Sequence, residues 1–287
     1  MNKVLVTGAN SYIGTSFEKY INEHHPKEFI IDTMDMVDGT WREKDFSGYD
    51  AVFHVAGIVH IKEKKQISHL YYEINRDLAF ETAQKAKEQG VKQFVFLSSM
   101  SVYGLSHGEI NNETPVNPVN AYGKSKLEAE KKLKSLAEAE FIVSIIRPPM
   151  VYGRGCKGNY QMLRKLALKL PVFPKVKNQR SMIYIDNLCE FVYAVIKDIK
   201  DGVFFPQNDE LINTGKMVKT IAEANNHKIR ITPVLTPFVA VGKIIPGRIG
   251  RLCNKAFGSC YYDMEMSNED IDYRVINSYD AVKEIEK

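Results

Sequence analysis

The sequence predicts an α/β fold: a doubly wound parallel sheet with a small α+β lobe. Three observations carry this. Short, continuously apolar runs alternate with helical patterns over roughly the first two hundred residues, as strands covered on both faces do. Several runs end in glycine- or serine-rich turns, Thr7-Gly8-Ala9 and Leu97-Ser98-Ser99 among them. Past Arg147-Pro148-Pro149 the pattern loosens into shorter pieces.

The elements follow in order. Residues 4–6 form a first strand and Tyr12–His24 a helix. Phe29–Met34 and residues 51–56 are strands. Residues 71–89 make a long helix stopped by Gly90. A strand at 93–98, a helix at 122–139 and a strand at Ile142–Ile146 complete the regular part. Right-handed crossovers between such strands place helices on both faces. Beyond it, Asn159–Lys169 and residues 187–197 read as helices with a strand at 182–185 between them. From about Phe204 the chain is less regular. Residues 1–155, with 180–200 returning, are assigned to the sheet domain; residues 156–179 and 201–287 are assigned to the smaller lobe.

Composition excludes several classes. The 287 residues are 44% hydrophobic and 26% charged, the balance of a globular protein of one large or two modest domains. A net charge of +4 and the lack of an aromatic-rich basic motif speak against nucleic acid as a partner. Cys156, Cys189, Cys253 and Cys260 form no CxxC pair. They read as reduced thiols in a cytoplasmic protein, without a metal site. No run reaches the roughly 18–20 apolar residues that span a bilayer, so no membrane partner is expected. The most apolar stretch, residues 234–245, is interrupted by Pro237, Gly242 and Lys243. The start of the chain reads as a buried strand rather than a signal peptide. Between Lys216 and Lys255 eight Lys/Arg face one acid, Glu223, and an acidic segment, 263–272, follows. That strip favours an anionic ligand such as a pyrophosphate or is a solvated basic face.

Thr7-Gly8-Ala9-Asn10-Ser11-Tyr12-Ile13-Gly14 joins the first strand to the first helix. A dinucleotide-binding turn requires that context. Gly8 permits the tight turn, Gly14 permits close helix–strand packing, and the helix N-terminus offers N–H groups to a pyrophosphate. The usual middle glycine is Ser11. An acid about 20 residues on accepts from the ribose hydroxyls. Asp32 and Asp35 both qualify, and Asp35, at the strand end, is preferred. Its charge would repel a 2′-phosphate and favours NAD, while nearby Arg42 leaves NADP open.

Tyr122 and Lys126 lie four apart on a helix and face the same side. An ammonium beside a phenol lowers its pKa and suits it to proton exchange with an alcohol. Alone, the pair is common on solvated helix faces. The serines at 98, 99 and 101, closing a strand where parallel sheets bind ligands, strengthen it.

Together these segments resemble the NAD-dependent epimerase/dehydratase family of extended short-chain dehydrogenases/reductases, Rossmann-fold enzymes acting mainly on nucleotide sugars. The carriers are TGANSYIG at 7–14, Asp45-Phe46, His54-Val55-Ala56-Gly57, Glu73-Ile74-Asn75, SSMSVYG at 98–104, YGKSK at 122–126, RPPMVYG at 147–153 and RSMIYIDNL at 180–188. The resemblance covers nearly the whole chain. It implies that Tyr122 is the catalytic base and acid. Lys126 would hold the nicotinamide ribose, Ser99 in preference to Ser98 the reacting hydroxyl, and Asn75 would support the site. Gly8, Asn10, Ser11, Tyr12, Ile13 and Gly14 would cradle the cofactor with Asp35. Asp45 and Phe46 would flank its adenine, and Val55, Ala56 and Gly57 would line it. Ser99, Met100 and Tyr122 would meet the sugar, and Arg180 its diphosphate, although Arg180 also fits a surface salt bridge. His60 reads as a solvated loop histidine, with sugar contact the alternative. Cys156 receives no role.

The family's dehydratases carry an Asp-Glu pair after the Ser/Thr. Here Met100 and Ser101 stand there, which argues against 4,6-dehydration. A 4-epimerase of a UDP-sugar and a 4-keto-sugar reductase remain, and the trimmed smaller lobe tilts towards the reductase. The competing class is a non-catalytic dinucleotide sensor, whose members typically lose the tyrosine or lysine. A homodimer through helices 71–89 and 122–139 is also implied.

Overall fold

In the computed structural model, residues 1–59, 68–245, 247–267 and 270–287 are described. The elements are β1 (Asn2–Thr7), α1 (Tyr12–His24), β2 (Phe29–Met34), β3 (Ala51–His54), α2 (Ser68–Tyr72), α3 (Leu78–Glu88), β4 (Gln93–Leu97), β5 (Gly108–Ile110), α4 (Ala121–Lys134) and β6 (Ile142–Ile146). They continue as β7 (Met150–Tyr152), α5 (Asn159–Lys169), β8 (Val172–Pro174), β9 (Met182–Tyr184), α6 (Ile185–Lys197), β10 (Gly202–Phe204) and α7 (Thr214–Ala224). The last are β11 (Arg230–Thr232), α8 (Thr236–Ile244), α9 (Arg248–Phe257), β12 (Cys260–Tyr262) and α10 (Ser278–Glu286).

The main sheet has the order β2-β1-β3-β4-β6-β10, with every pair parallel. Alternate residues of each strand serve opposite faces. Val4, Val6, Phe53 and Val95 pack with Phe17 and Ile21 of α1 and Phe191 and Val195 of α6. Leu5, Val52, Phe94 and Phe96 pack on the other face with Ala79 and Ala83 of α3 and Ala129 and Leu133 of α4. Both faces are dry, which explains the unbroken apolar strand sequences.

Departures from the sequence expectation have local causes. The 51–56 strand ends at His54 because Val55 and Ala56 turn under the β1–α1 loop. The 71–89 helix is interrupted by a π-helical turn, Glu73–Asp77. The 122–139 helix stops at Lys134. There Ser135 Oγ bonds back to the Lys132 carbonyl at 2.7 Å, and a Glu138–Phe141 bridge turns the chain into β6. Residues 202–204, assigned from sequence to the smaller lobe, form β10 and extend the main sheet beside β6. Two small parallel pairs, β8–β11 and β5–β12, tie the later segments together. The second links the loop after β4 to the chain beyond α9.

Candidate active site

The site gathers at the carboxyl ends of β1, β3 and β4. At the first turn, Gly8 has φ +93°, and a Cβ there would lie 2.9 Å from the Ala56 backbone. Only glycine combines that conformation with that approach. The N–H groups of Gly8 and Ala9 bond the Met34 carbonyl at 2.8 and 2.9 Å, which holds the turn against the end of β2. Ser11 caps α1: its Oγ accepts from Gly14 N at 3.1 Å and its carbonyl from Thr15 N at 3.0 Å. A helix start has four N–H groups without helical partners. The Ser11 side chain takes that of Gly14 and the Gly8 carbonyl that of Ser11 itself at 3.1 Å, leaving those of Tyr12 and Ile13 for an anion. Ser11 therefore does more than stand in for a small glycine. Asn10 sits at φ 65° beside it. The Tyr12 side chain points inwards, its hydroxyl buried and unpartnered among the described residues, next to Gly153.

Asp35 follows β2 directly and is exposed, with one carboxylate oxygen accepting from Val37 N at 2.9 Å. Asp32, the alternative, is engaged by the Tyr49 hydroxyl at 2.7 Å and Lys3 at 3.3 Å. Arg42 is also engaged. It pairs with Glu81 at 2.7 Å and lies over the Trp41 ring at 4.5 Å. Met36, Val37, Trp41, Arg42, Ile74 and Leu78 line a cavity of about 380 Å³ beside this strand end. Asp45 is exposed, its carboxyl held below the usual range by Ser47. Phe46 departs from the expectation of flanking an adenine. Its ring is fully buried in the α3-side core, and its N–H is taken by Gln89 Oε1 at 2.5 Å.

Tyr122 and Ser99 meet. A hydrogen bond from Ser99 pulls the Tyr122 phenol down, burial pushes it up, and burial prevails. Tyr71 lies edge-on to Tyr122, ring centroids 6.3 Å apart. Ser98 points elsewhere, to Glu130. Of the two serines, Ser99 is the one at the tyrosine. Its Oγ also accepts from Ser101 N at 3.1 Å. Met100 follows, half-buried, its N–H on the Pro148 carbonyl at 3.0 Å.

Lys126 is 4% exposed. Its Nζ donates to the Leu97 carbonyl at 2.8 Å and lies 4.5 Å from the Phe96 ring centroid. Desolvation pulls its pKa down to about 7, opposed by Glu130. Ser99 supplies a lowering influence on the Tyr122 phenol. A Cβ on Gly57 would lie 2.8 Å from Asn75 Oδ1 and 3.4 Å from Lys126 Nζ. Glycine there keeps a gap over the ammonium. Asn75, fully buried in the π-helical turn, accepts from Ile58 N at 2.8 Å and donates to the Ile58 carbonyl at 3.1 Å and Ser125 Oγ at 3.2 Å. It fastens the loop after β3 to α4. His60 lies outside the described residues.

Sequence reasoning missed two groups. Glu130 forms a two-pronged pair with Arg147 (Nη2–Oε2 2.6 Å, Nε–Oε1 3.0 Å), and Arg147 also reaches the Tyr103 hydroxyl at 3.0 Å. Tyr122, Lys126 and Glu130 recur every four residues on α4, a spacing that could have revealed Glu130. His54 Nδ1 is bonded to Thr7 Oγ1 at 2.8 Å. Burial, then the Lys126 charge, pushes its pKa down to about 3, so it is neutral.

Arg180 sits beside the 212 segment and β12. It bridges Ile212 and Cys260 by its backbone and donates from Nη1 to the Gly258 carbonyl at 3.1 Å. Cys156 is buried, and burial pushes its thiol up. No group of metal-ligating side chains was found among the described residues.

A family model described as NAD dependent epimerase/dehydratase matches residues 4–205, which include every one of these groups. The chain belongs to that family. A UDP-glucose 4-epimerase of Vibrio cholerae is 31% identical over 246 residues, 77% of this chain and 75% of that protein. An N-acetyl-α-D-glucosaminyl-diphospho-ditrans,octacis-undecaprenol 4-epimerase of Escherichia coli O157:H7 is 27% identical over 248 residues, 79% and 74% of the two chains. The fold is that of a Bacillus cereus UDP-glucuronic acid 4-epimerase solved with NAD (TM-score 0.72, 16% identity, 99% of this chain and 100% of that one). It is equally that of a Clostridium acetobutylicum dTDP-4-dehydrorhamnose reductase (TM-score 0.70, 18% identity, 99% and 98%). The same fold thus carries an epimerase in one of these neighbours and a reductase in the other.

Proposed function

We propose that the chain performs NAD-dependent chemistry at C4 of a sugar diphosphate, in the first reading as a 4-epimerase of a UDP-sugar. The observation that carries this is the Ser99 hydroxyl set against the buried Tyr122 phenol at the end of β4, one helical turn from buried Lys126. Tyr122 takes the C4 hydroxyl proton and later returns it. Ser99 holds the same oxygen. Lys126, as an ammonium, offsets the developing phenolate, and the buried surroundings strengthen that attraction.

The residues fit a dinucleotide. Tyr12 and Ile13 N–H groups would meet the pyrophosphate. Asp35 would meet the adenosine ribose and Lys126 the nicotinamide ribose, with Val55, Ala56 and Gly57 as the floor. Adenine is assigned to the cavity between Val37 and Leu78, with Asp45 near it. Asp35 is open while Arg42 is engaged by Glu81, which favours NAD over NADP. When bound, NAD supplies the hydride acceptor and donor. Met100 and Ser101 carry no carboxylate for a dehydration, and Glu130 is occupied by Arg147 and Ser98.

Arg180 is assigned to the substrate diphosphate. The names of the Vibrio and Escherichia relatives support the epimerase reading. The Escherichia name also shows that a polyprenyl diphosphate can stand where a nucleotide does in that relative. The 4-keto-sugar reductase is the second reading, in keeping with the reductase that shares the fold. Retention of Ser99, Tyr122, Lys126 and Asn75 speaks against a non-catalytic sensor. We keep the division into a cofactor domain and a substrate lobe, with the boundary moved past Phe204, and a homodimer through α3 and α4 that sedimentation velocity tests.

Denaturing extraction of freshly purified protein, followed by assay, decides. Tightly held NAD, with UDP-glucose or UDP-N-acetylglucosamine converted and no net cofactor consumed, supports the epimerase. Protein without cofactor that consumes NADH or NADPH only with a 4-keto sugar nucleotide supports the reductase. Neither activity would overturn the reading.

A further inference from the structure

The second place of interest is far from Tyr122 in sequence. Helix α8 carries its largest apolar side chains on the outside. Val234 just before it is 72% exposed, Phe238 73%, Val241 56% and Ile244 80%. They fall at helical spacing, so they form one stripe. Gly242, one turn on from Phe238 at the edge of the stripe, is buried and packs so closely on Cys253 of α9 that a Cβ would lie 2.7 Å from its sulfur. The stripe side chains stay exposed beside that contact rather than within it. Exposed contiguous apolar faces of this kind mark interaction sites.

The charge around the stripe identifies the partner. Residues 224–262 contain no aspartate or glutamate, while Lys228, Arg230, Lys243, Arg248, Arg251 and Lys255 fall within them. Lys228 and Arg230 are exposed at the start of β11, next in the chain to the hairpin. An apolar helix face in a purely cationic segment is complementary to an anionic lipid surface. It is poorly suited to a second copy of itself. A two-fold contact would set this cationic segment against its own image.

We propose that the α8–α9 hairpin docks the protein on an anionic bilayer, with Phe238, Val241 and Ile244 entering the headgroup boundary and the flanking cations meeting lipid phosphates. The docking is peripheral: among the described residues no helix is long and apolar enough to cross a membrane. It goes beyond the proposed reaction and does not depend on it. The hairpin is nonetheless joined to the candidate diphosphate residue. The Gly258 carbonyl, just past α9, accepts from Arg180 at 3.1 Å, and the Ala256 carbonyl accepts from Thr214 at 3.2 Å.

Flotation of the full chain with vesicles tests it. The probes are phosphatidylglycerol mixed equally with phosphatidylcholine, and phosphatidylcholine alone. The protein is expected to float with the anionic vesicles at low salt, and to be released at about 1 M salt, where the Debye length falls to about 3 Å. Phe238→Asp with Ile244→Asp should cut binding roughly tenfold or more while leaving thermal unfolding and NAD binding unchanged. Should that variant fail to fold, Lys228→Glu with Arg230→Glu probes the charge arm and should also weaken flotation. Wild-type protein that stays with the buffer, or folded variants that float like wild type, would overturn the proposal. So would a dimer in buffer that the double substitution turns into a monomer, since the stripe would then belong to a second copy.

Discussion

The carboxyl edge of the main sheet and the α8–α9 hairpin both break the rule that polar groups face water and apolar groups face inward, and they break it in opposite senses. At the sheet edge, Lys126, Asn75, Ser98, Glu130 and Arg147 are all buried, and each has partners. On α8, Phe238 and Ile244 are exposed among the described residues. Burying a charge is costly unless it is paired. Exposing a large apolar side chain costs little in a monomer, but a contiguous face of them is unusual. The first departure surrounds the proposed reaction site and is supported by dense contacts, so substitutions there should act on both activity and stability. The second leaves the fold untouched, so substitutions there should act on association alone.

The largest effect should fall on the proton. Tyr122→Phe removes a hydroxyl and little volume. Turnover is expected to drop about 10³-fold or more, with NAD affinity and melting temperature near wild type. Single-turnover assays beside calorimetric titration check this. A variant that turns over normally would remove Tyr122 from the chemistry. Next comes the buried pair. Glu130→Ala leaves the Arg147 guanidinium and the Ser98 hydroxyl without their carboxylate. It should destabilise by about 3–5 kcal/mol, read as a lower urea midpoint. A loss below about 1 kcal/mol, the worth of a surface pair, would mean that water already reaches the pair.

How legible the two regions are follows from the same contrast. Gly8, Ser11 and Gly14 stand out in the sequence because a backbone turn demands them, and the turn forms as read. Tyr122 and Ser99 were identifiable because they lie in short motifs at strand and helix ends. Glu130 carried only its four-residue spacing from Lys126 as a signal and Arg147 none, because their bond joins residues 17 apart and the bond to Ser98 joins residues 32 apart. Phe46 was misjudged because an aromatic beside an acid reads as a ligand platform, whereas three-dimensional packing gives its ring to the core. Helix α4 was read five residues too long because the Ser135 back-bond and the Glu138–Phe141 bridge compete with a sequence of good helix formers. The apolar run 234–245 was visible in the sequence, but its exposure was not. Periodicity gives the width of an apolar face, not what covers it.

A sharper probe of the buried side is Lys126→Met, which keeps the length and removes the charge. Lys126 titrates at about 7 in the folded chain against about 10.4 when exposed. Between those values the unfolded chain binds the extra proton, so stability of the wild type rises with pH through that window. The variant should therefore be inactive yet more stable at pH 7, by on the order of 2 kcal/mol once the unpaired Leu97 carbonyl is counted. The gain should be widest at and below pH 7 and shrink as the pH approaches 10. A variant less stable at every pH would mean that the buried ammonium is compensated more fully than its one carbonyl partner indicates. Arg180→Ala should be milder, raising KM for a sugar diphosphate about tenfold with kcat little changed, as loss of a uniform binding contact does. An unchanged KM would return Arg180 to a purely structural bond with Gly258.

The smallest expected effect belongs to the hairpin and is for that reason the most discriminating. Val241→Ser exchanges an exposed apolar side chain for a smaller polar one. If the α8 stripe has no partner within the folded chain, unfolding in urea should shift by no more than about 0.5 kcal/mol, with turnover unchanged. Should the substitution cost about 2 kcal/mol instead, the value of a buried side chain, Val241 must be covered within the fold or by a permanent partner. The contrast between a buried polar site and an uncovered apolar face would then collapse into one ordinary core. A near-zero result separates the two regions, because the same substitution is silent in the isolated protein and free to act only where a lipid surface is present.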